Sequence, residues 1–194
     1  LLENIMSSGE ASMKALQKER FGKLFFHLGP NKDNEIFTNI KKNKSNLDQC
    51  EFILCTGLIE GREEDLEYHK SLLKNYVSKK LICTNPDLIV HRGEIAEYCA
   101  GTIAKLFESI GGESVYFGKP YKEIYTMCFS PSEKTIAIGD NLNTDIRGAN
   151  NMNIDSIFIS NGIHRSDFKD ESELKSLSLT YKVKVNYYQP QLIW

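Results

Sequence analysis

The 194-residue sequence contains no run of about 18 or more apolar residues, the length a helix needs to cross a bilayer, so no segment of it reads as a transmembrane helix. Its start, LLENIMSSGEASMKAL, lacks the basic flank and long apolar centre of a secretory signal, and the expectation is a soluble, cytoplasmic protein. Charge of one sign is also lacking. Lys plus Arg number 24 against 26 Asp plus Glu, a net −2 that removes the cationic field nonspecific nucleic-acid binding needs. The nine Tyr and ten Phe form no stacking stripe among basic residues, which argues against single-strand binding as well. Five cysteines, Cys50, Cys55, Cys83, Cys99 and Cys128, make an odd set without C-x-x-C, and some fall in apolar runs such as FILC and LIC. Buried reduced thiols fit that usage better than disulfides or a zinc site. Neither G-x-G-x-x-G nor G-x-x-x-x-G-K-[ST] occurs, so the dinucleotide and P-loop signatures are absent. Internal repeats and low-complexity tracts are absent too.

What is present is an ordinary globular composition, 41% hydrophobic and 26% charged, at a length that suits one large domain or a smaller one carrying an insertion. Short β-rich apolar runs alternate with helical-period segments, the pattern of βαβ units around a mostly parallel sheet. Ser7 and Glu10 have capping-box spacing and open a helix over ASMKALQKE. KLFFHL reads as a strand, followed by a break at Gly29-Pro30-Asn31, with Asn31 available as a cap for a short acidic segment. The polar stretch KKNKSNLDQ reads as a surface connection. EFILCT reads as a buried strand, and REEDLEYHKSLLKNYVSKK as one long amphipathic helix with Leu66, His69, Leu72, Leu73, Tyr76 and Val77 on one face. LICTN is the next strand. Ile103, Leu106, Phe107 and Ile110 then recur at helical spacing up to a Gly111-Gly112 stop. VYFG, TIAIGD and DSIFIS are further strands, with helices over KPYKEIYTMCF, opened by Pro120 in its first turn, and TDIRGANNMN, capped by Thr144. NGIHRSDFKDESELKSL is a loop leading to a helix, and the tail YKVKVNYYQPQLIW alternates like a strand until Pro190. Glycines near residues 20 and 112 separate a middle block from its flanks.

Two features carry chemistry. In TIAIGDNLNTDIRGA an apolar run ends in Gly139 and delivers Asp140 to the carboxyl end of a strand, the edge where sites in open α/β sheets lie. Asp145 follows at the start of the next helix, so a tight loop folds two carboxylates toward one point. Two carboxylates with waters and a phosphate oxygen are what Mg²⁺ takes. The same residues also suit a plain turn and a helix N-terminus, and spacing does not choose between the two. In VYFGKPYKEIY a strand leads through Gly118 to Lys119, a cation placed for an anion such as phosphate or simply a surface lysine before a proline. A lysine and an acid pair from successive strands suit phosphate together with Mg²⁺.

GKPYKEIY followed by AIGDNLNTDIRGANNMNI resembles the third and fourth motifs of the haloacid dehalogenase superfamily, specifically the class IIA phosphatases with a large inserted α/β cap. The resemblance continues through SGEASMKAL, LICTNPDLIVHRGE, NGIHRSDF and YYQPQLIW, and so spans essentially the whole chain. It implies an α/β fold with a Rossmann-like parallel-sheet core, residues 1–20 and 113–194, and an α/β cap, residues 21–112. It also implies a hydrolase that moves a phosphoryl group through an aspartyl-phosphate, with Mg²⁺ as cofactor and a small phosphorylated metabolite as substrate. By that resemblance Lys119 is a catalytic residue that neutralises the phosphate. Asp140 is a direct Mg²⁺ ligand, Asp145 holds the metal or its waters, and Asn141 sits next to the metal. The cap covers the site and reads the leaving group, which makes Asn85 and Asp87 of Asn85-Pro86-Asp87 candidate substrate contacts, whereas the residues alone read as an Asn-Pro turn.

One departure bears on activity. The family's first motif is Asp-x-Asp, whose first carboxylate attacks phosphorus, and no D-x-D occurs anywhere in the 194 residues. No Ser or Thr before Ser7 fits the second motif. The chain as given is therefore expected to be inactive, and residue 1 being Leu makes it read as a truncated form of an active parent. The alternative is a noncatalytic binding or interaction protein that retains the fold. A phosphoacceptor receiver domain is excluded by order, since there the Lys-Pro pair follows the acidic residues. His27, His69 and His91 show no metal spacing, and His69, on an apolar helix face, reads as a satisfied packing histidine. His164 follows the last core strand, where it either lines the pocket or is solvated. Oligomeric state stays open, a homodimer included.

Overall fold

Ser7 accepts the Glu10 N–H at 3.1 Å and so opens the first helix, α1 (Ser8–Gln17), where the capping spacing predicts it. The computed structural model describes residues 5–35, 37–92, 95–130 and 132–193; the side chains of residues 41, 42, 91 and 92, and with them the reading of His91, lie outside that description. Contacts divide the chain into two units, Leu1–Gly118 and Lys119–Trp194.

In the first unit α1 is followed by β1 (Phe25–Leu28), β2 (Phe52–Cys55), α2 (Leu66–Leu73), β3 (Lys80–Cys83), β4 (Ile89–Arg92), β5 (Ile95–Tyr98), α3 (Ala100–Ser109) and β6 (Glu113–Tyr116). The sheet runs β1-β2-β3-β6 with every neighbouring pair parallel, Phe52 standing opposite both Phe25 and Lys80, and Lys80 opposite Glu113. All four side chains of β2 are buried, as a central parallel strand requires. Phe25 stacks on Phe52 at 5.9 Å and meets the edge of Phe37 at 5.8 Å, while α3 packs on β2, β3 and β6 and carries buried Ile103 and Phe107 into the core. β6, grouped with the later block by the sequence reading, is hydrogen-bonded to β3 and belongs to this sheet.

Several local expectations are corrected. The long helix over 62–80 is only α2, eight residues, because Asp65 accepts the Tyr68 N–H at 2.8 Å and starts the helix there; it passes into a 3-10 turn at Lys74–Tyr76. Asn31 lies inside a 3-10 turn, Asn31–Glu35, instead of capping a helix. IVHR and IAEY, unassigned from sequence, pair antiparallel as the β4–β5 hairpin, Ile89 opposite Tyr98. His69 is fully buried. Its Nε2 accepts the Ile59 N–H at 3.2 Å, so the ring proton sits on Nδ1 and is donated to the Asp65 carbonyl at 2.8 Å, the satisfied packing role expected of it.

The second unit contains α4 (Lys122–Cys128), β7 (Ile136–Gly139), a π-helical turn at Leu142–Ile146, α5 (Arg147–Met152), β8 (Asp155–Ile159), α6 (Glu171–Thr180) and β9 (Tyr187–Gln189). β7, β8 and β9 form a parallel sheet in that order, Gly139 opposite Phe158 and Ile157 opposite Tyr187. Leu142, Ile146, Phe158 and Leu174 form the buried core, with Phe168, Leu177, Tyr181, Val183 and Val185 packed around it. Pro120 is not in the first turn of α4, which begins at Lys122 after Tyr121. The cap after β7 is Asn141, not Thr144: the Asn141 side chain accepts the Asn143 N–H at 2.8 Å. All five cysteines are free; Cys50, Cys55 and Cys83 are buried, Cys99 is half-buried and Cys128 is exposed, against the expectation of burial. Burial pushes the Cys83 thiol up to about 12, which leaves it protonated and unreactive near neutral pH. No helix among the described residues is long and apolar enough to cross a membrane.

Candidate active site

Because β7 and β8 are parallel neighbours, the loops that leave their carboxyl ends lie side by side, and the first residue after β7 is Asp140. The loop after β8 crosses over it: Ile163 N–H donates to Asp140 Oδ2 at 3.1 Å. A Cβ at Gly162 would collide with the Asp140 carboxylate, so only glycine lets the two loops approach this closely. Asp140 Oδ1 has no hydrogen-bond partner among the described residues.

Asp145 is held from two sides. Its Oδ2 accepts the Asn141 N–H at 3.1 Å, and its Oδ1 takes the Lys119 ammonium at 2.5 Å. The Asp145 side chain is only 9% exposed, whereas that of Lys119 is 53% exposed, so the lysine reaches from solvent onto a nearly buried acid. The π-helical turn explains how Asp145 arrives there: Asp145 and Ile146 N–H groups both donate to the Asn141 carbonyl, at 2.9 and 3.2 Å, which widens the turn and swings Asp145 back toward the strand end. Its carboxylate lies so close to Gly139 that a Cβ at that residue would overlap it. Lys119, Asp145 and the Gly139-Asp140 strand end are thereby gathered at one rim of the sheet. Tyr125 lies behind them, its phenol pushed up to about 12 chiefly by burial and secondarily by the Asp145 charge.

Asn141, expected next to a metal, uses its side-chain oxygen to accept the Asn143 N–H and so shapes the loop. Asn85 and Asp87 lie in the first unit, after β3, where Asn85 Oδ1 accepts the Asp87 N–H at 3.2 Å as in an Asx turn. Asn85 also lines a cavity of about 1080 Å³ at the carboxyl ends of the first sheet, together with Pro30, Thr56, Ile89 and Tyr98. In the second unit a hollow of about 760 Å³ is lined by Phe129, Lys134, Ile136 and Asp155, at the amino ends of β7 and β8 and hence away from Asp140. The sequence left His164 between pocket-lining and solvated. It is buried, and its Nε2 accepts the Leu142 N–H at 3.3 Å. The pairing of β7 with β8, invisible to local pattern, is what brings it there.

No group of three or more His, Cys, Asp or Glu side chains that could hold a metal occurs among the described residues. The donor set at the rim is instead two carboxylates from one loop, hard oxygens of the number Mg²⁺ takes when waters and phosphate fill its remaining positions. The chemistry of the set fits that ion, with Asp140 Oδ1 unengaged and Asp145 Oδ1 shared with an ammonium.

Residues 116–180 match the HAD-hydrolase-like family model. A comparison with curated proteins gave no match. Among solved structures, a haloacid dehalogenase-like hydrolase from Brucella suis 1330 is similar at 24% identity and TM-score 0.70, over 96% of this chain and 71% of that one. A p-nitrophenyl phosphatase from Archaeoglobus fulgidus is similar at 17% identity and TM-score 0.70, over 94% and 69%. A 4-nitrophenylphosphatase from Thermotoga maritima is similar at 22% identity and TM-score 0.65, over 95% and 68%. The chain thus has the haloacid dehalogenase-like fold along nearly its whole length, with sequence likeness to the HAD-hydrolase-like family over residues 116–180.

Proposed function

We propose that this chain carries the phosphate- and cation-handling part of a Mg²⁺-dependent phosphomonoester hydrolase acting on a small phosphorylated metabolite. The observation that carries the reading is the Lys119–Asp145 pair at 2.5 Å, set against Gly139 and so beside Asp140 at the carboxyl end of β7. The names of the similar p-nitrophenyl and 4-nitrophenyl phosphatases support it. Lys119 supplies positive charge where phosphate oxygens bind, and its pairing with Asp145 fixes the ammonium instead of leaving it to sample solvent. Asp140 and Asp145 would hold Mg²⁺, which when bound supplies charge neutralisation at the phosphoryl oxygens. The Ile163 N–H keeps Asp140 oriented through Oδ2 and leaves Oδ1 for the ion. In this reading the block over residues 21–112 serves as the cap, with Asn85 and Asp87, in the loop after β3, as substrate contacts. No D-x-D occurs in the 194 residues, so these residues alone do not supply the Asp-x-Asp nucleophile that the reaction requires.

The test has two parts. Titration of the ¹⁵N-labelled chain with Mg²⁺ and then inorganic phosphate is expected to shift the Asp140–Asp145 amides; Asp140→Asn abolishes the response to Mg²⁺ and Lys119→Ala the response to phosphate. With an Asp-x-Asp strand supplied ahead of Leu1, p-nitrophenyl phosphate is expected to be hydrolysed, and either substitution lowers kcat by about 10²-fold or more. An unchanged rate in Asp140→Asn removes the metal assignment. Cation and phosphate binding with no hydrolysis in that longer protein favours the noncatalytic binding role.

A further inference from the structure

The acidic loop poses a satisfaction problem that the sequence does not reveal. Asn141, Leu142 and Asn143 lie where the chain leaves β7 and enters the π-helical turn, and amides at the start of a helical turn have no partner within it. Each is satisfied by a side chain from a different residue. Asn141 N–H donates to Asp145 Oδ2 at 3.1 Å, Asn143 N–H donates to Asn141 Oδ1 at 2.8 Å, and Leu142 N–H donates to His164 Nε2 at 3.3 Å. The first two bonds are made within the loop. The third comes from the loop after β8 and therefore fixes the acidic loop against the sheet.

His164 is built to do this in one protonation form. Since Nε2 accepts an N–H, the ring proton lies on Nδ1, where it is donated to Asp167 Oδ2 at 2.7 Å. The imidazole is 6% exposed, with the Tyr181 ring edge-on at 5.2 Å and the Phe158 ring at 6.1 Å, so its plane is set by packing as well as by hydrogen bonds. The residue before it, Ile163, donates its N–H to Asp140 Oδ2, so two adjacent residues of one loop brace Asp140 and the turn that presents Asp145.

The geometry assigns to His164, held in its tautomer by Asp167, the role of positioning residue for the loop that carries Asp140 and Asp145. The assignment deepens the Mg²⁺-dependent reading above and rests on it for what the loop binds. His164 hydrogen-bonds to neither carboxylate and acts through the Leu142 amide. Loss of a group that orients metal ligands from behind typically weakens metal affinity by about 10–100-fold.

Two readouts on the ¹⁵N-labelled 194-residue chain test this: hydrogen exchange of the Leu142 amide without metal, and line broadening of the Asp140–Asp145 amides by Mn²⁺ as the cation probe. His164→Gln places an acceptor at the reach of Nε2, while His164→Asn reaches only as far as Nδ1. The expected result is Leu142 exchange about tenfold faster and Mn²⁺ binding about tenfold weaker in His164→Asn, with both near wild type in His164→Gln. Asp167→Ala, which keeps the ring and frees its tautomer, is expected to move both in the same direction by less; it carries the test if His164→Asn loses the β8 amide protection that reports folding. Unchanged Leu142 exchange and Mn²⁺ binding in His164→Asn and Asp167→Ala would overturn the assignment, as would a His164→Gln as impaired as His164→Asn. If the wild-type chain shows no Mn²⁺ broadening, the proposed function fails and takes the cation half of this inference with it, while Leu142 exchange decides the bracing half by itself.

Discussion

β2 in the first unit and β7 in the second are both short apolar runs in parallel sheets, yet they sit in opposite surroundings. Every side chain of β2 is buried, with β1 on one edge, β3 on the other and α3 packed over it. β7 has β8 on one edge and no partner strand on the other among the described residues, and Ile136 and Ile138 are 45% and 41% exposed. The residues proposed to do chemistry are thus mounted on the sparsely covered sheet, and the densely packed one carries none of Lys119, Asp140 and Asp145. Local stability follows buried apolar contact, so the first sheet is expected to be the stronger.

The largest effect that would break this comparison is on unfolding free energy. Leu54→Ala removes a fully buried side chain and is expected to cost about 2–5 kcal/mol in urea unfolding, against less than about 1 kcal/mol for the half-exposed Ile138→Ala. Equal costs would end the contrast. A comparable effect comes from pH. Burial first, and then the Lys44 charge, holds His27 at about 4, below its ordinary 6.5. Between those values the unfolded chain takes up a proton that the folded one refuses, so stability is full above pH 6.5 and falls as pH drops toward 4. The loss should be on the order of 3 kcal/mol, and His27→Gln should flatten that part of the stability–pH curve of the first unit. The smallest effect sharpens the contrast from the other side. Lys119→Ala should change unfolding free energy by less than about 1 kcal/mol, because half of the lysine is in water, while abolishing the response to phosphate. A large stability loss would make the pair structural.

The strands of the two parallel sheets and the first helix are legible because their signals are local: apolar β-rich runs such as FILC and IAIG, and a Ser7–Glu10 cap. The helix over 62–80 was overread because periodicity cannot see Asp65 competing for the backbone. The hairpin over 89–98 was missed because β5 faces water throughout and shows no buried stripe. β6 falls with the later block in the sequence because Gly111-Gly112 reads as a boundary, and its pairing with β3 is not visible in local pattern. At the rim, Lys119 and Asp145 were named and are brought together. The contributions of Ile163 and His164 were not legible, since they depend on which strand lies beside β7.

Both parallel sheets share one property with a temporal meaning. Along β1-β2-β3-β6, and again along β7-β8-β9, spatial order follows order in the chain. After the first strand of each, every described strand emerging from a ribosome therefore meets an edge already laid down by its predecessor, and among the described strands no central slot is reserved for a later arrival. Vectorial synthesis can build each layer by simple accretion.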